Sequence, residues 1–359
     1  MEALTMPLSR VRDRESIDEI LMYAVKHGAS DIFFITDVQV RAEIHGVFKN
    51  VTRYAANIEC IKRIVANICG GQGVLATLGS GQPVDSSYDI AVKDKETLAV
   101  EHYRFRVNAV KTYEGYTLTM RSLPSIPPTV EQIGLEPELV EAFHGHKKGL
   151  AIVSGATGSG KSTLLASINR NNLENTDNGI NLVTIEQPIE YVFDKLVLPE
   201  SIKSQIEVGN GIPTFYHGLK NALRMKPNHI MIGETRDYET FQAMVASSRT
   251  GHFTTTTVHT SNVAGIMPRL IDLCPPETQK DNLMGMIDET KVLCYQELLI
   301  KKDGSGRVPC KEYLIFNEEV RNYLSANHHN ILSAGKTMIE EYGQPFRVNY
   351  ERLKEEGVI

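Results

Sequence analysis

Gly155-Ala156-Thr157-Gly158-Ser159-Gly160-Lys161-Ser162-Thr163 is the stretch on which the reading of this chain turns. It fits the spacing GxxxxGK[ST] of a loop that wraps a phosphate. An apolar run from Leu150 to Val153 enters it, and a helical pattern from Ser162 to Ile168 leaves it. Glycines at 155, 158 and 160 let the backbone curl so that amide N–H groups face an anion without a Cβ in the way. The helix N-terminus adds its partial positive charge. Lys161 is expected to reach the β- and γ-phosphates of a nucleotide, and the Ser162 hydroxyl to ligate Mg²⁺. Ser159 and Thr163 complete the binding set. A strand, a phosphate loop and a helix in that order imply an α/β fold with a parallel-rich sheet.

Downstream, short apolar or β-branched runs alternate with helical patterns. Leu182 to Ile185, His229 to Ile232 and Phe253 to Val258 read as further strands of that sheet. Each ends in groups that carry chemistry, and open α/β sheets place their ligands at those ends. Glu186 closes the first and is followed by Gln187-Pro188, which stops the strand. Glu234 follows the second, where a carboxylate can hold the Mg²⁺ shell or polarise an attacking water. Glu190 reads as structural. Asp237 is placed to cap the next helix, whose Phe241, Met244, Val245 and Ser248 share a face. His252 and His259 bracket the four threonines of the third strand. They fall on opposite faces and cannot chelate one metal from it. At least one is expected at a strand end facing the nucleotide or a neighbouring subunit.

Upstream of 122 the texture differs. Ser16 and Glu19 suggest a capping box, with Ile17, Ile20, Leu21 and Ala24 at helical spacing. Val40, Ala42 and Ile44 then alternate with Arg41, Glu43 and His45. Glycines crowd residues 70–81, which read as a flexible loop before a strand from Tyr88 to Val92. Tyr103, Phe105, Val107 and Ala109 point one way, with Arg104, Arg106 and Asn108 the other. Glu114-Gly115 marks a turn into a returning strand through Leu118 and Met120. These features give residues 1–121 as a small α+β domain with an antiparallel sheet. The proline-rich stretch 122–130 is a linker, and 131–359 the phosphate-loop domain.

The 359 residues carry 38 Lys and Arg against 44 Asp and Glu, a formal charge of −6. Residues 1–121 are balanced, so the acidic excess falls in the second domain. This argues against nucleic acid as the main ligand, because phosphate backbones demand clustered Lys and Arg. No run approaches the length of a membrane span, and the charged N-terminus has no apolar signal core. Five cysteines without a CxxC pair read as reduced thiols with no structural zinc. A cytoplasmic location is the expectation.

In this order and spacing, GATGSGKST (155–163), TIEQPIEY (184–191), IMIGETRD (230–237) and GHFTTTTVHT (251–260) resemble the Walker A, Asp, Walker B and His boxes of the type II/IV secretion ATPases, the PilT-like traffic ATPases. The resemblance extends to His27-Gly28-Ala29-Ser30-Asp31, to the Tyr103–Asn108 strand, and to a strand pair from Leu299 to Phe316. It implies a PAS-like N-terminal domain, a RecA-like ATPase domain, and a homohexamer that hydrolyses ATP. Such a ring would dock on inner-membrane components of a type IV secretion machine, at the cytoplasmic face. It implies roles for Lys161, Ser162 and Thr163 on phosphate and Mg²⁺, for Glu186 in ordering water, and for Glu234 as the Walker B glutamate. His252 and His259 would fill the His box, and Arg104, Arg106 and Arg121 would be arginine fingers from the N-terminal domain. Gln187 stands where many members have Asp. Lys226-Pro227-Asn228 replaces an acidic pattern common in pilus motors, and Glu319 to Leu324 matches the retraction motors' helix only in part. The latter two departures favour the DotB/TraJ branch, hence secretion or conjugative transfer, over pilus retraction. A RecA-like nucleic-acid motor and a small-molecule kinase are the competing classes, the first disfavoured by charge.

Overall fold

The period-two alternation of the first 121 residues becomes an antiparallel sheet, as the inner positions Phe105, Val107, Ala109, Leu118 and Met120 have no exposed surface. A computed structural model describes residues 14–44, 46–93, 100–123, 126–174, 179–209, 211–304 and 306–359. Contacts divide the chain into two compact units, Met1–Ser125 and Ile126–Ile359.

The first unit begins with α1 (Arg14–Lys26), which buries Ile17, Ile20, Leu21 and Ala24. The helix already includes Arg14, so Ser16 lies buried inside it and is not its cap. Then come β1 (Ala29–Ile35), β2 (Val38–Ile44), β3 (Val47–Ala56), α2 (Ile58–Ile68), α3 (Gly73–Gly79), β4 (Val84–Lys93), β5 (Val100–Thr112) and β6 (Gly115–Leu123). The sheet order is β3-β2-β1-β6-β5-β4, with every neighbouring pair antiparallel. The glycine-rich stretch read as a loop contains α3. Its Leu78 is fully buried and Val74 and Leu75 pack on the core, so apolar burial outweighs the poor helix propensity of Gly73 and Gly79. The β5–β6 turn falls where Glu114-Gly115 placed it. A Cβ on Gly115 (φ +148°) would lie 2.4 Å from Thr36 Oγ1. β6 runs on to Leu123, into the stretch read as linker. Pro124 and Ser125 of that stretch, His45 of the early alternation and the charged residues 1–13 lie outside the described residues.

The second unit is built on a seven-stranded sheet. In chain order its elements are α4 (Pro137–Phe143), β7 (Gly149–Ser154), α5 (Lys161–Glu174), β8 (Asn181–Glu186), β9 (Ile202–Glu207), α6 (Phe215–Ala222), β10 (His229–Ile232), α7 (Tyr238–Arg249), β11 (Phe253–Val258), α8 (Ile266–Ile271), α9 (Gln279–Glu289), β12 (Thr290–Ile300), β13 (Arg307–Ile315), α10 (Glu318–Ala326), α11 (Ile331–Tyr342) and α12 (Phe346–Glu355). The order is β13-β12-β7-β11-β10-β8-β9, parallel throughout except for β12 with β13. Strands buried on both faces lose alternation and become continuous apolar runs. Thus β7, β10 and β11 are buried at every residue. Leu150 and Ile152 join the core under α6 to α9, while Ala151 and Val153 join the other layer with α4 and α5. The edge strand β9 (IKSQIE) is half-buried and polar, and so escaped the apolar-run criterion. β12 starts at Thr290, well before Leu299. Among the described residues no helix is long and apolar enough to cross a membrane.

Candidate functional site

The parallel strands end together, and their ends carry the site. β7 delivers the chain into the 155–160 loop, where Gly155, Gly158 and Gly160 have φ of +148°, +77° and +86°. A Cβ on Gly155 would sit 2.4 Å from the Gln296 carbonyl oxygen and 2.5 Å from Ser159 Oγ. One on Gly160 would sit 2.8 Å from Gln296 Nε2. Glycine is therefore required at both for conformation and for space. Lys161, Ser162 and Thr163 open α5. The Lys161 ammonium, buried, donates to the carbonyl oxygens of Gly155 and Ala156, both at 2.9 Å. Burial holds its pKa below the usual lysine value, against the pull of Glu234 and Glu190. Ser159 Oγ is buried and has no hydrogen-bond partner among the described residues.

Three strand ends bring carboxylates and a histidine to this loop's side of the sheet. Gly233 N donates to Ile185 O at 2.7 Å, and Thr235 N to Thr257 O at 3.1 Å, so the ladder continues past β10 and fixes Glu234 between them. Arg236 donates to Glu234 Oε2 at 2.6 Å. His259 Nε2 stands 3.5 Å from Glu234 Oε1, while its Nδ1 lies 3.1 Å from Gly155 O. His259 thus bridges the Walker-type loop and the β10 carboxylate. Glu186, at the end of β8, is buried and accepts from Thr184 Oγ1 at 2.7 Å and Gln205 Nε2 at 3.3 Å. Burial pushes its pKa up to about 7; those hydrogen bonds oppose the rise and the charge of Glu190 adds to it. Tyr191 OH lies 2.9 Å from Thr163 Oγ1 and ties the following loop to α5.

His252 is not part of this cluster. It precedes β11, at the opposite end of the strand from His259, and its Nδ1 lies 3.0 Å from Ser247 O. A strand of six residues spans ~20 Å, which separates the two histidines. Arg104, Arg106 and Arg121 belong to the first unit. They share the sheet face opposite its core, with Arg106 directly across from Arg121. Arg104 faces Asp89 at 3.5 Å and Arg121 donates to buried Asp31 at 2.9 Å.

Beside Gly160 and Thr163 opens a cleft of about 390 Å³. Residues 131–134, Leu164, Gln296, Leu298, Lys301 and 307–309 line it. Gln296 was not singled out from the sequence, though it alone is an amide in the run Val292-Leu293-Cys294-Tyr295-Gln296. Buried, it donates to Ser159 O at 2.8 Å and braces the loop. The cleft wall at 131–136 is held from below. Buried Lys311 contacts Glu136 Oε2 at 2.9 Å and Gly134 O at 3.3 Å. From α12, Asn349 donates to Glu136 Oε1 at 3.3 Å and Arg352 stands 3.8 Å away.

The fold matches known proteins over nearly all of the chain. The chain superimposes on the crystal structure of the Legionella pneumophila ATPase DotB with a TM-score of 0.89. The two are 33% identical, covering 100% of this chain and 96% of that one. The crystal structure of the pilus retraction motor PilT with bound ADP matches at a TM-score of 0.80 and 29% identity, covering 95% of this chain and 93% of that one. The type IV pilus retraction ATPase PilT of Pseudomonas aeruginosa is 30% identical over 321 residues, 86% of this chain and 85% of the relative. The second unit has the RecA-like ATPase fold of these neighbours. The profile of the family described as type II/IV secretion system protein matches residues 12–344. The chain belongs to the type II/IV secretion system protein family, the traffic ATPases of secretion systems and type IV pili.

Proposed function

We propose that the chain hydrolyses ATP, as a homohexamer, to power a type IV secretion or conjugative transfer system, including its substrate transport or pilus assembly. The observation that carries this reading is the convergence of Lys161, Glu234 and His259 on one phosphate loop at the C-terminal ends of the parallel strands. Nucleotide enters with its phosphates in the 155–160 loop and its base in the adjoining cleft. Lys161 turns its donors from the two loop carbonyls to the β- and γ-phosphate oxygens. Glu234, oriented by Arg236 and His259, holds the water that attacks the γ-phosphate. Glu186, poised near neutrality, orders that water and can take up its proton.

The donor chemistry present suits Mg²⁺. The Ser162 hydroxyl and the Glu234 carboxylate are hard oxygen ligands, and this ion takes most of its shell from phosphate and water. When bound, it would neutralise charge on the β- and γ-phosphates. Arg104, Arg106 and Arg121 are proposed to act on the triphosphate. Arg106 lies directly across from Arg121, which Asp31 already pairs, and so adds positive charge to that face, in keeping with a role toward an anion. The ring is proposed to work at the cytoplasmic face of the inner membrane on membrane components of the machine, with nucleic acid not its main ligand. Likeness to DotB over the full chain supports type IV secretion. The comparable likeness to PilT supports pilus retraction as the second reading.

Glu234→Ala in the full chain tests the chemistry. ATP affinity is expected to stay within a few-fold of wild type while kcat falls roughly 100-fold or more. Undiminished turnover would remove Glu234 from the mechanism.

A further inference from the structure

We propose that Gln205 is a positioning residue that seats the Glu186 carboxylate and, through Tyr191, docks the loop after β8 onto the phosphate-loop helix. The inference rests on the reading of Glu186 as the group that orders the attacking water. It gives the polar edge strand β9 a purpose that its sequence alone does not suggest.

Parallel pairing sets Gln205 beside Thr184 and Glu207 beside Glu186. Thr184 and Gln205 therefore project from neighbouring strands toward one carboxylate oxygen, and both donate to Glu186 Oε1. The remaining capacity of the Gln205 amide is spent on the loop: Nε2 donates to Tyr191 O at 2.8 Å, and Oε1 accepts from Phe193 N at 3.0 Å. Glu207 Oε2 accepts from Ile189 N at 3.1 Å, a second fastening of the same loop. Buried Tyr191 then reaches Thr163, two residues beyond Lys161. One amide thus holds the acid and the loop whose tyrosine touches α5. A glutamine serves here because it offers two donors and an acceptor in one plane.

The charged groups on the surrounding elements include Glu190 in the loop, Lys203 and Glu207 on β9, Glu234 beyond β10 and Lys161 on α5, with Lys203 paired to Asp194 of the loop. His217 and Lys220 of α6 are exposed. Of these, Glu190 acts on Glu186 by its charge. Donors from Thr184 and Gln205 favour the ionised carboxylate, so removing one must move its titration to higher pH.

The test uses the full chain, with two readouts. Steady-state ATP hydrolysis is followed from about pH 5.5 to about pH 9, and the Glu186 carboxyl is titrated by infrared difference spectroscopy, its band identified by its loss in Glu186→Gln. In Gln205→Leu the titration midpoint and the acid limb of kcat are expected to rise together by about one pH unit. That is roughly a tenfold loss of kcat below the midpoint, recovered at alkaline pH, with KM little changed. In Tyr191→Phe, which spares the amide, the midpoint is expected to stay and KM to rise. Should Gln205→Leu fail to fold, Gln205→Asn, too short to reach the carboxylate, is expected to show the same displacement. An unmoved midpoint, or a loss of kcat equal at every pH, overturns the proposal. A wild-type chain inert toward ATP whose Glu186 midpoint still moves in the variant would sink the functional reading and leave the seating of Glu186 standing.

Discussion

His229 shows what burial does to a titratable group. It sits at the start of β10, 6% exposed, with its ring 5.3 Å from that of Phe253. Burial, with help from His144 and His146, pushes its pKa from 6.5 down to about 4. A lowered folded-state value means the unfolded chain binds the proton more tightly. The stability this residue allows is complete above pH 6.5 and is lost as pH falls toward 4. By linkage, about 2 kcal/mol should be gone by pH 5. Thermal unfolding followed by circular dichroism at pH 7 and pH 5 should therefore show a smaller drop in Tm for His229→Phe than for wild type. Equal drops would exclude His229 as a source of acid lability. The same residue scale explains which site groups could be read from sequence. Lys161 is marked by the spacing of its loop, and Glu234 and His259 stand just past the ends of β10 and β11, so motif and position identify them. Gln205 and Gln296 are single amides inside strands, and their partners are remote in sequence, so the local pattern does not assign them a role. His252 matched its box, yet lies at the wrong end of β11 to join His259, because seven residues of extended chain carry it away.

Elements were legible where burial and capping agreed. Helix α7 begins where Asp237 foretold, and its Oδ1 accepts from Thr240 N at 2.8 Å. Asp237→Ala should cost about 1 kcal/mol through loss of that cap, visible as a lower midpoint in urea with unchanged slope. No change would mean that packing of Phe241 and Met244 already fixes the helix start. The misread elements share a cause. For α3 the glycines dominate local propensity, but Leu78 finds a core to bury in. For β9 the residues are polar because one side of an edge strand has no sheet neighbour, and the run offers no apolar signal. In both cases tertiary surroundings settled what propensity left undecided.

On the scale of the whole molecule, each unit has its own apolar core. Ile32, Phe34, Phe105 and Met120 anchor the first, and separate clusters fill the two faces of the second sheet. A fragment comprising residues 126–359 is therefore expected to unfold cooperatively and to bind ADP, as judged by calorimetry. A fragment that is unfolded, or folded but blind to ADP, would show that the second unit depends on the first. The fold class was legible because a phosphate loop between a buried strand and a helix admits few architectures. The anchoring of the cleft wall was not, since Glu136 and Asn349 stand 213 positions apart. That separation has a consequence during synthesis. The wall at 131–136 leaves the ribosome long before β13 and α12 exist to hold Glu136, so a nascent chain carries the phosphate loop beside an unfastened cleft. If the cleft takes the nucleotide as proposed, a product cut short before Lys311 would carry the phosphate loop beside a wall that Lys311, Asn349 and Arg352 do not hold.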